Sequence, residues 1–570
     1  MQKLTRLIPL ILSFLILFSA CSKAPETTRY IPKDAIGVVS LNTVELAKKV
    51  AWSALAGSPM FKEMTGKAGD TTKFDIEKTG IEPLTTFFAF GMPDQRLAGK
   101  SKFMVILPLK DAEKFKTFIK ENYPNAKVEL KDKLTFISID ANTCIGFDGK
   151  TAIAATANKA YQREWNEDGT PKVADNSQHL TILTEEIQKC FALPKDQSIA
   201  ENKEFASLIK ESHDFSFWLN YEALASGLSQ EELGSAGAIM ASQKKLVKDA
   251  YFTGSLDFEK GKIVADARYH FNNSAKAIAQ AMASQSDNAE LLKKVPGNQL
   301  NLLMSYHFNP AGIKVLADTM GMAPLANMAL KEMGLTLDDI LNAFTGDFLF
   351  TISDFTVQTK NLAASVGGSA VNYTSPEPSM KAFLSFKIKD QAAFGKLMQI
   401  ATGREMLMAT GPDAYMIGAG VYLNKKDDYV AVTNDQAAAN AFATGAAAAK
   451  FDIPKEVKNN PYGLYIDIRN SVQSLPLDLL YGKEDTAVFH DGKKLLESVV
   501  AYGGKIDGNH APFHFELNFQ NKDENSLMQL INFSQKVMEA NKREADSFDD
   551  IIPDDAEPAA TVDSTASPAI

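Results

Sequence analysis

The chain repeats itself, and a fold that accepts this sequence must be built twice. Residues 30–59 read YIPKDAIGVVSLNTVELAKKVAWSALAGSP, and residues 294–324 read KVPGNQLNLLMSYHFNPAGIKVLADTMGMAP. Both give a proline-led turn, an apolar strand, a helix and a second turn, with Pro59 matched to Pro324 at an offset of 265. The match continues in order. KTGIEPLTTFFAFG (78–91) parallels EMGLTLDDILNAFTGDFLF (332–350), and FMVILPLKDAEKFKTFI (103–119) parallels AFLSFKIKDQAAFGKLM (382–398). FSFWLNYEALASGL (215–228) parallels LYIDIRNSVQSL (464–475), and residues 250–282 parallel 501–531. Asp111 falls against Asp390, each between a strand and a helix, where a carboxylate accepts from the free N–H groups of the first turn.

A period this long is too long for a solenoid and implies duplication of a whole domain. The expected halves are 30–286 and 287–540, each reading β-α-ββ-α-βββ-α-β-α-ββ-α. Hairpins with period-2 alternation dominate. The expected fold class is α+β: two tandem homologous domains, each a mainly antiparallel sheet with helices packed on one face. Two segments break the correspondence, 161–179 in the first half and TKNLAASVGGSAVNYTSPEPS (359–379) in the second. Both read as long irregular loops, the second flexible.

The N-terminus gives an address. Lys3 and Arg6 precede an apolar run from Leu7 to Phe18, and Ser19-Ala20 lead into Cys21. This is a secretory signal, residues 1–20, too short to span a membrane comfortably. Small-small-Cys resembles a bacterial lipobox, with Phe18 in place of the usual leucine, so Cys21 is the expected lipidation site. Lipoprotein processing supplies the two or more acyl chains that a stable anchor needs. Residues 21–29 form the tether; eight extended residues reach at most ~28 Å, so the body stays near its membrane.

The formal net charge of −10 becomes −12 once cleavage removes Lys3 and Arg6. Residues 541–570 hold eight acids and two bases and are expected to form a disordered acidic tail. No basic stripe interleaved with aromatics occurs, which argues against a nucleic-acid partner. Cys144 and Cys190 read as buried free thiols, with a disulfide as the alternative.

No catalytic motif stands out. The histidines are His179, His213, His270, His307, His490, His510 and His514. Only His510 and His514 are close, and on a strand that spacing separates them by ~13 Å, too far to share one ion. There is no G-x-S-x-G elbow, no Walker A sequence and no dinucleotide fingerprint. Asp549, Asp550, Asp554, Asp555 and Glu557 sit in the acidic tail and read as solvated charge. Trp218 alternates within a strand and reads as core, as Trp165 in its polar loop reads as packed on its own domain. No catalytic residue, metal or cofactor is expected.

RYIPKDAIGVVSLN after the lipobox cysteine, and FTGDFLF at 344–350, resemble a Bacteroidetes lipoprotein family of unknown function. The resemblance implies a Gram-negative envelope and an outer-membrane destination. Only one acid lies in Ser22–Thr27. That departs from the export pattern of surface lipoproteins in this phylum and favours the periplasmic face, with surface exposure as the alternative. The expected function is a non-catalytic binding or interaction protein, held to the membrane by its lipid and engaging an envelope protein or glycan. The alternatives are a glycan-acting hydrolase or lyase with spatially paired carboxylates, and a carrier of a hydrophobic ligand. Paired carboxylates in a cleft distinguish the first alternative, and a continuous apolar cavity the second.

Overall fold

Among the described residues, antiparallel pairing joins every strand to its neighbours, and the pairings add up to one sheet of twenty strands. The computed structural model describes residues 25–51, 54, 76–94, 96–97, 101–158, 178–227, 244–284, 289–366, 369–418, 420–446, 451, 453–473, 475–476 and 483–549. Cys21, Trp52, Trp165, nearly all of the 161–179 segment and everything after Asp549 lie outside these residues. In the first half the strands are β1 (Gly37–Asn42), β2 (Thr86–Pro93), β3 (Ser101–Pro108), β4 (Lys127–Lys131), β5 (Leu134–Asp140), β6 (Thr143–Phe147), β7 (Thr151–Ala157), β8 (Phe215–Asn220), β9 (Tyr251–Glu259) and β10 (Lys262–His270). In the second they are β11 (Leu300–His307), β12 (Phe344–Val366), β13 (Ser369–Ile388), β14 (Met408–Gly411), β15 (Ala414–Ile417), β16 (Val421–Lys426), β17 (Tyr429–Thr433), β18 (Tyr462–Asp467), β19 (Leu496–Gly503) and β20 (His510–Phe519).

Side by side, the first half runs β4-β5-β6-β7-β3-β2-β1-β8-β9-β10. The second runs β14-β15-β16-β17-β13-β12-β11-β18-β19-β20. Each strand of the first run thus has its counterpart ten strands later in the second. The runs meet through β10 and β20, paired antiparallel from Lys262↔Asn518 to His270↔His510.

Local chemistry explains the elements. The helices Ala112–Asn122 and Gln391–Gly403 begin at Asp111 and Asp390, and each carboxylate accepts from two backbone N–H groups of the first turn. Phe115 and Phe394 on these helices are buried, against strands carrying Phe147 and Phe386 respectively. A larger core lies between β1, β2, β3, β8 and the helices His179–Phe191 and Lys203–Lys210, where Phe88, Phe90, Met104, Leu183, Phe205 and Trp218 pack together. Its counterpart holds Leu303, Leu349, Phe383, Phe442 and Val457. Burying such a side chain contributes ~1.5–3 kcal/mol.

Three expectations change. The meander after the Asp111 helix has four strands rather than three. The missed strand, β4, has only one side chain that is even half-buried, and Leu130 on it is 79% exposed. A strand with both faces wet carries no alternation to read. Asp132 and Lys133, both with positive φ, make the tight turn into β5. Second, the 359–379 segment is not an irregular loop. Residues 356–366 and 369–379 pair with each other alone, extending β12 and β13 as a two-stranded ribbon about 35 Å long. Third, the last helix spans Ser526–Asp549, past the expected end of the body at Ala540.

The halves also exchange their last helices. Asn273–Met282, which follows β10, packs on Ala311–Thr319 of the second half, where Asn309 N donates to Met282 O at 2.7 Å. Ser526–Asp549, which follows β20, brings Leu527 and Ile531 against Leu46 and Val50 of the first. Gly312 is the contact point of the first exchange. A Cβ there would lie 2.5 Å from the Met282 backbone nitrogen. Helix propensity alone makes Gly→Ala stabilising by ~0.5–1 kcal/mol, whereas overpacking costs about 1–3 kcal/mol. Gly312→Ala is expected to destabilise by the latter amount in urea titration; a gain in stability would contradict this packing.

Candidate functional site

Strand parity decides what each sheet face presents. Along one register row, Leu41, Phe215, Leu256 and Ala265 lie directly opposite one another on β1, β8, β9 and β10. The row crosses into the second half through Phe515, Ala501, Leu464 and Met304 on β20, β19, β18 and β11. The neighbouring row, two residues along, starts Val39, Phe217, Gly254, Ala267 and continues Phe513, Gly503, Tyr462, Tyr306. Neither row contains a charged residue. Seven strand spacings of ~4.8 Å make each about 34 Å long.

This face is open. Val39 is 50% exposed, Tyr306 49%, Phe513 43% and Phe515 39%. Scattered exposed apolar residues are normal on a protein surface; a contiguous uncharged band of this length is not. At its first-half end the band runs into a recess of about 710 Å³ lined by Gly37, Val39, Ala89, Gly91 and Phe103, with Asp140 and Asn142 at its polar side. Gly37 and Gly91 are paired across β1 and β2. No atom crowds either closely enough to forbid a side chain. The recess is hollow because these positions carry no Cβ.

The other face holds the helices His179–Phe191 and Lys203–Lys210 and the polar rows. Helices are not confined to one face as expected: Ala112–Asn122 and Gln391–Gly403 cover the band's own face farther out, over Ile137 and Ile145 and over Phe348 and Phe386. Ser40, Ser216 and Ser255 lie opposite one another, and the same row ends at the seam with Asp266 and His514. His514 Nδ1 lies 2.8 Å from Asp266 Oδ1 and its Nε2 3.2 Å from Glu516. Lys262 Nζ donates to Glu516 at 2.7 Å. These contacts tie the two halves across β10 and β20.

At the end of the seam four rings meet. Trp218 stacks on Tyr251 at 4.2 Å between centroids, Tyr251 stacks on His270 at 4.2 Å, and His270 meets His510 edge-on at 4.4 Å. His270 is 4% exposed. Its Nε2 lies 2.9 Å from Thr253 Oγ1, and its Nδ1, like that of His510, is buried without a hydrogen-bond partner. Burial, then the neighbouring His510 and Arg268, pushes the His270 imidazole down to about 4, so it is neutral at pH 7. Glu204, at the start of Lys203–Lys210, brings its carboxylate to the same point. One donor atom from each of Glu204, His270 and His510 lies within 4.8 Å of the other two.

Buried carboxylates occur elsewhere, each with at least one oxygen paired, although Asp214 Oδ1 is buried without a hydrogen-bond partner. Lys102 Nζ lies 2.8 Å from Asp94 and 3.0 Å from Glu186. Burial would raise the Asp94 carboxyl, but hydrogen bonds from Arg96 and Lys102 outweigh it and hold the group well below the carboxylate range. An acid so placed has no proton to give at neutral pH. Asp214 accepts from Lys49 and from Phe258 N, both at 2.7 Å, and His213 pairs with Asp257 at 2.5 Å. This cluster pins Thr43–Lys49 to β8 and β9.

His510 and His514 point to different partners, as their strand spacing requires. The spacing did not disclose His270, 240 residues upstream of His510. The signal available was the repeated pattern in the sequence: matched last strands that pair antiparallel bring distant positions together. Trp218 is core, 4% exposed. Cys144 and Cys190 are buried free thiols, and burial pushes Cys190 up to about 12, so it is inert at neutral pH. Cys21 lies outside the described residues.

The Asp266–His514 contact is pH-sensitive. His514 is held above its ordinary 6.5, chiefly by its hydrogen bond with Asp266, and Asp266 is held below 3.8 chiefly by the same bond. Its contribution is complete between these values. It fades as pH rises through the raised imidazole value or falls through the lowered carboxyl value. The melting temperature lost on His514→Gln is expected to be larger near pH 5.5 than near pH 9, though small throughout because Asp266 is largely exposed. An equal loss at both pH values would contradict the ion pair.

No curated protein matches the chain significantly. Among solved structures, crystal form I of TP0453 matches at 7% identity over 45% of this chain and 80% of that one, with a TM-score of 0.23. Crystal form IV matches at 7% over 44% and 85%, with a TM-score of 0.24. A family model for a domain of unknown function, DUF4836, matches residues 150–527, a span that includes β10, β20 and the seam between them. The chain belongs to the DUF4836 family, a domain of unknown function.

Proposed function

We propose that this protein is a lipid-anchored envelope protein that binds acyl chains without catalysis, on the open face of a duplicated sheet. The observation that carries the reading is the uncharged, partly exposed band that crosses β1, β8, β9, β10, β20, β19, β18 and β11. A soluble body gains nothing by leaving such a surface wet, since each Å² of apolar area removed from water is worth ~25 cal/mol. The recess beside Val39 and Phe103 falls within the ~300–1,000 Å³ of small-molecule sites.

The N-terminal sequence supports the location. Signal residues 1–20 and Cys21 fit lipoprotein export, and the short tether keeps the body within ~28 Å of lipid. In this reading the anchor sits in the outer membrane of a Bacteroidetes cell and faces the periplasm. Among the described residues no helix is long and apolar enough to cross a membrane. Halves 30–286 and 287–540 are read as copies of one ancestral domain, supported by their matching strand order and by the paired caps Asp111 and Asp390. The sheet face, rather than a specific protein or glycan pocket, is the binding surface.

Two experiments test this. Cys21→Ala is expected to leave an unlipidated precursor and release most of the protein from washed membranes; unchanged membrane association would overturn the anchor. The Cys21→Ala protein, titrated with a fluorescent long-chain fatty acid, is expected to bind it saturably. Gly91→Val, which fills the recess, and Phe515→Glu, which charges the band, should each weaken binding at least tenfold. Absence of binding, or equal binding by all three proteins, would sink the acyl-chain reading.

A further inference from the structure

We infer that Glu204, His270 and His510 form a binding site for a divalent metal ion of the zinc type. Two imidazoles and one carboxylate are a donor set that zinc takes, with a fourth position left for water. The three come from three elements: the helix Lys203–Lys210, β10 and β20. His270 and His510 are Cα partners in the antiparallel ladder, so both rings rise from the same sheet face. That arrangement does what the spacing of His510 and His514 along one strand cannot.

Three observations separate this site from an ordinary pair of packed histidines. The first is the free nitrogen. Buried polar atoms are normally hydrogen-bonded, and leaving one unpaired costs about 1–3 kcal/mol. Here two imidazole Nδ1 atoms are buried without a partner at one point. The second is orientation. Thr253 Oγ1 takes up His270 Nε2 at 2.9 Å. With that nitrogen carrying the proton, the Nδ1 lone pair is left for an ion, the role an outer-shell partner plays for a metal-bound histidine. The third is the carboxylate. The Glu204 backbone N–H is engaged by the Asn202 cap, and the side chain reaches the ring pair while remaining exposed. An exposed ligand beside two sheltered ones gives an ion an entry path.

Ligand atoms around a tetrahedral zinc ion lie about 3.3 Å apart. The present separations, all within 4.8 Å, are of that order, and a bound ion would draw the three side chains together. The stack of Trp218 and Tyr251 holds His270 in place. Glu204 and His270 also line a small cavity of about 50 Å³ with Glu211, Asp266 and Arg268, room for the water of the fourth position. A bound ion joins a helix of the first half to the last strand of the second. It therefore fastens the seam where the hydrogen-bonded ladder ends. This inference stands independently of acyl-chain binding on the opposite face.

The test uses the full chain, purified in detergent and stripped of metal, titrated with Zn²⁺ and with Co²⁺ as a spectroscopic probe. One Co²⁺ per chain is expected to bind with the visible absorption of a four- or five-coordinate site, and Zn²⁺ should displace it and raise the melting temperature. Glu204→Gln replaces the carboxylate by a neutral amide of the same shape and should fold normally while binding Co²⁺ at least tenfold more weakly. His510→Ala should do the same, and His514→Gln should bind as the native protein does. Circular dichroism of each metal-free variant separates lost ligation from lost folding. No saturable binding by the native chain, or undiminished binding by a folded Glu204→Gln/His510→Ala double variant, would overturn the site.

Discussion

The antiparallel pairing of β10 with β20 is the contact on which the rest of the molecule depends. Two sheets that ended separately would each expose an edge of unpaired N–H and C=O groups, an invitation to pair with another chain. Joined, they close that edge over nine residue pairs. The side-chain contacts Lys262–Glu516 and Asp266–His514 fix register at the join, because a one-residue slip would turn every side chain to the opposite face. The exchanged helices lock the same register from either side. Leu527 and Ile531 reach a core in the first half, and Met282 closes on Gly312 in the second.

From that register the two surfaces follow. Alternation along each strand sends Val38, Ser40, Ser216 and Trp218 toward the helices, where they are buried. It sends Val39, Leu41, Phe215 and Phe217 the other way. Because register is preserved across the seam, the uncharged rows of one half meet those of the other without a break. The same register puts His270 opposite His510 on the helix side. One geometric fact thus produces an apolar face, a polar face and a cluster of metal-ligating side chains at their common join.

Much of this architecture was legible in the sequence. Asp111 and Asp390 announce helix starts because a short carboxylate after a strand has a local job. Phe115 with Phe118, and Phe394 with Leu397, announce a buried stripe. Paired hairpins at matching offsets announce antiparallel sheets. What was not legible follows from where information resides. β4 and β14 are edge strands wetted on both faces, so neither carries alternation. The ribbon of β12 and β13 looked irregular because glycines, prolines and serines interrupt its stretch, yet pairing satisfies its backbone. The apolar face was written in the sequence as the other half of each alternation, but alternation alone does not say how far helices cover it, and here they cover it only beyond the central strands. The meeting of Glu204, His270 and His510 depends on pairing between segments far apart in the chain, which no local spacing records.

The two halves form one sheet, continuous through β10 and β20, rather than two sheets lying side by side. Native-state hydrogen–deuterium exchange measures it directly, because amides exchange at rates set by the opening of the structure around them. The paired amides of Lys262–His270 and His510–Phe519 are expected to be protected as strongly as those of Leu300–His307 in the centre of the second half. Exchange at the seam faster by orders of magnitude, with both interiors still protected, would contradict it.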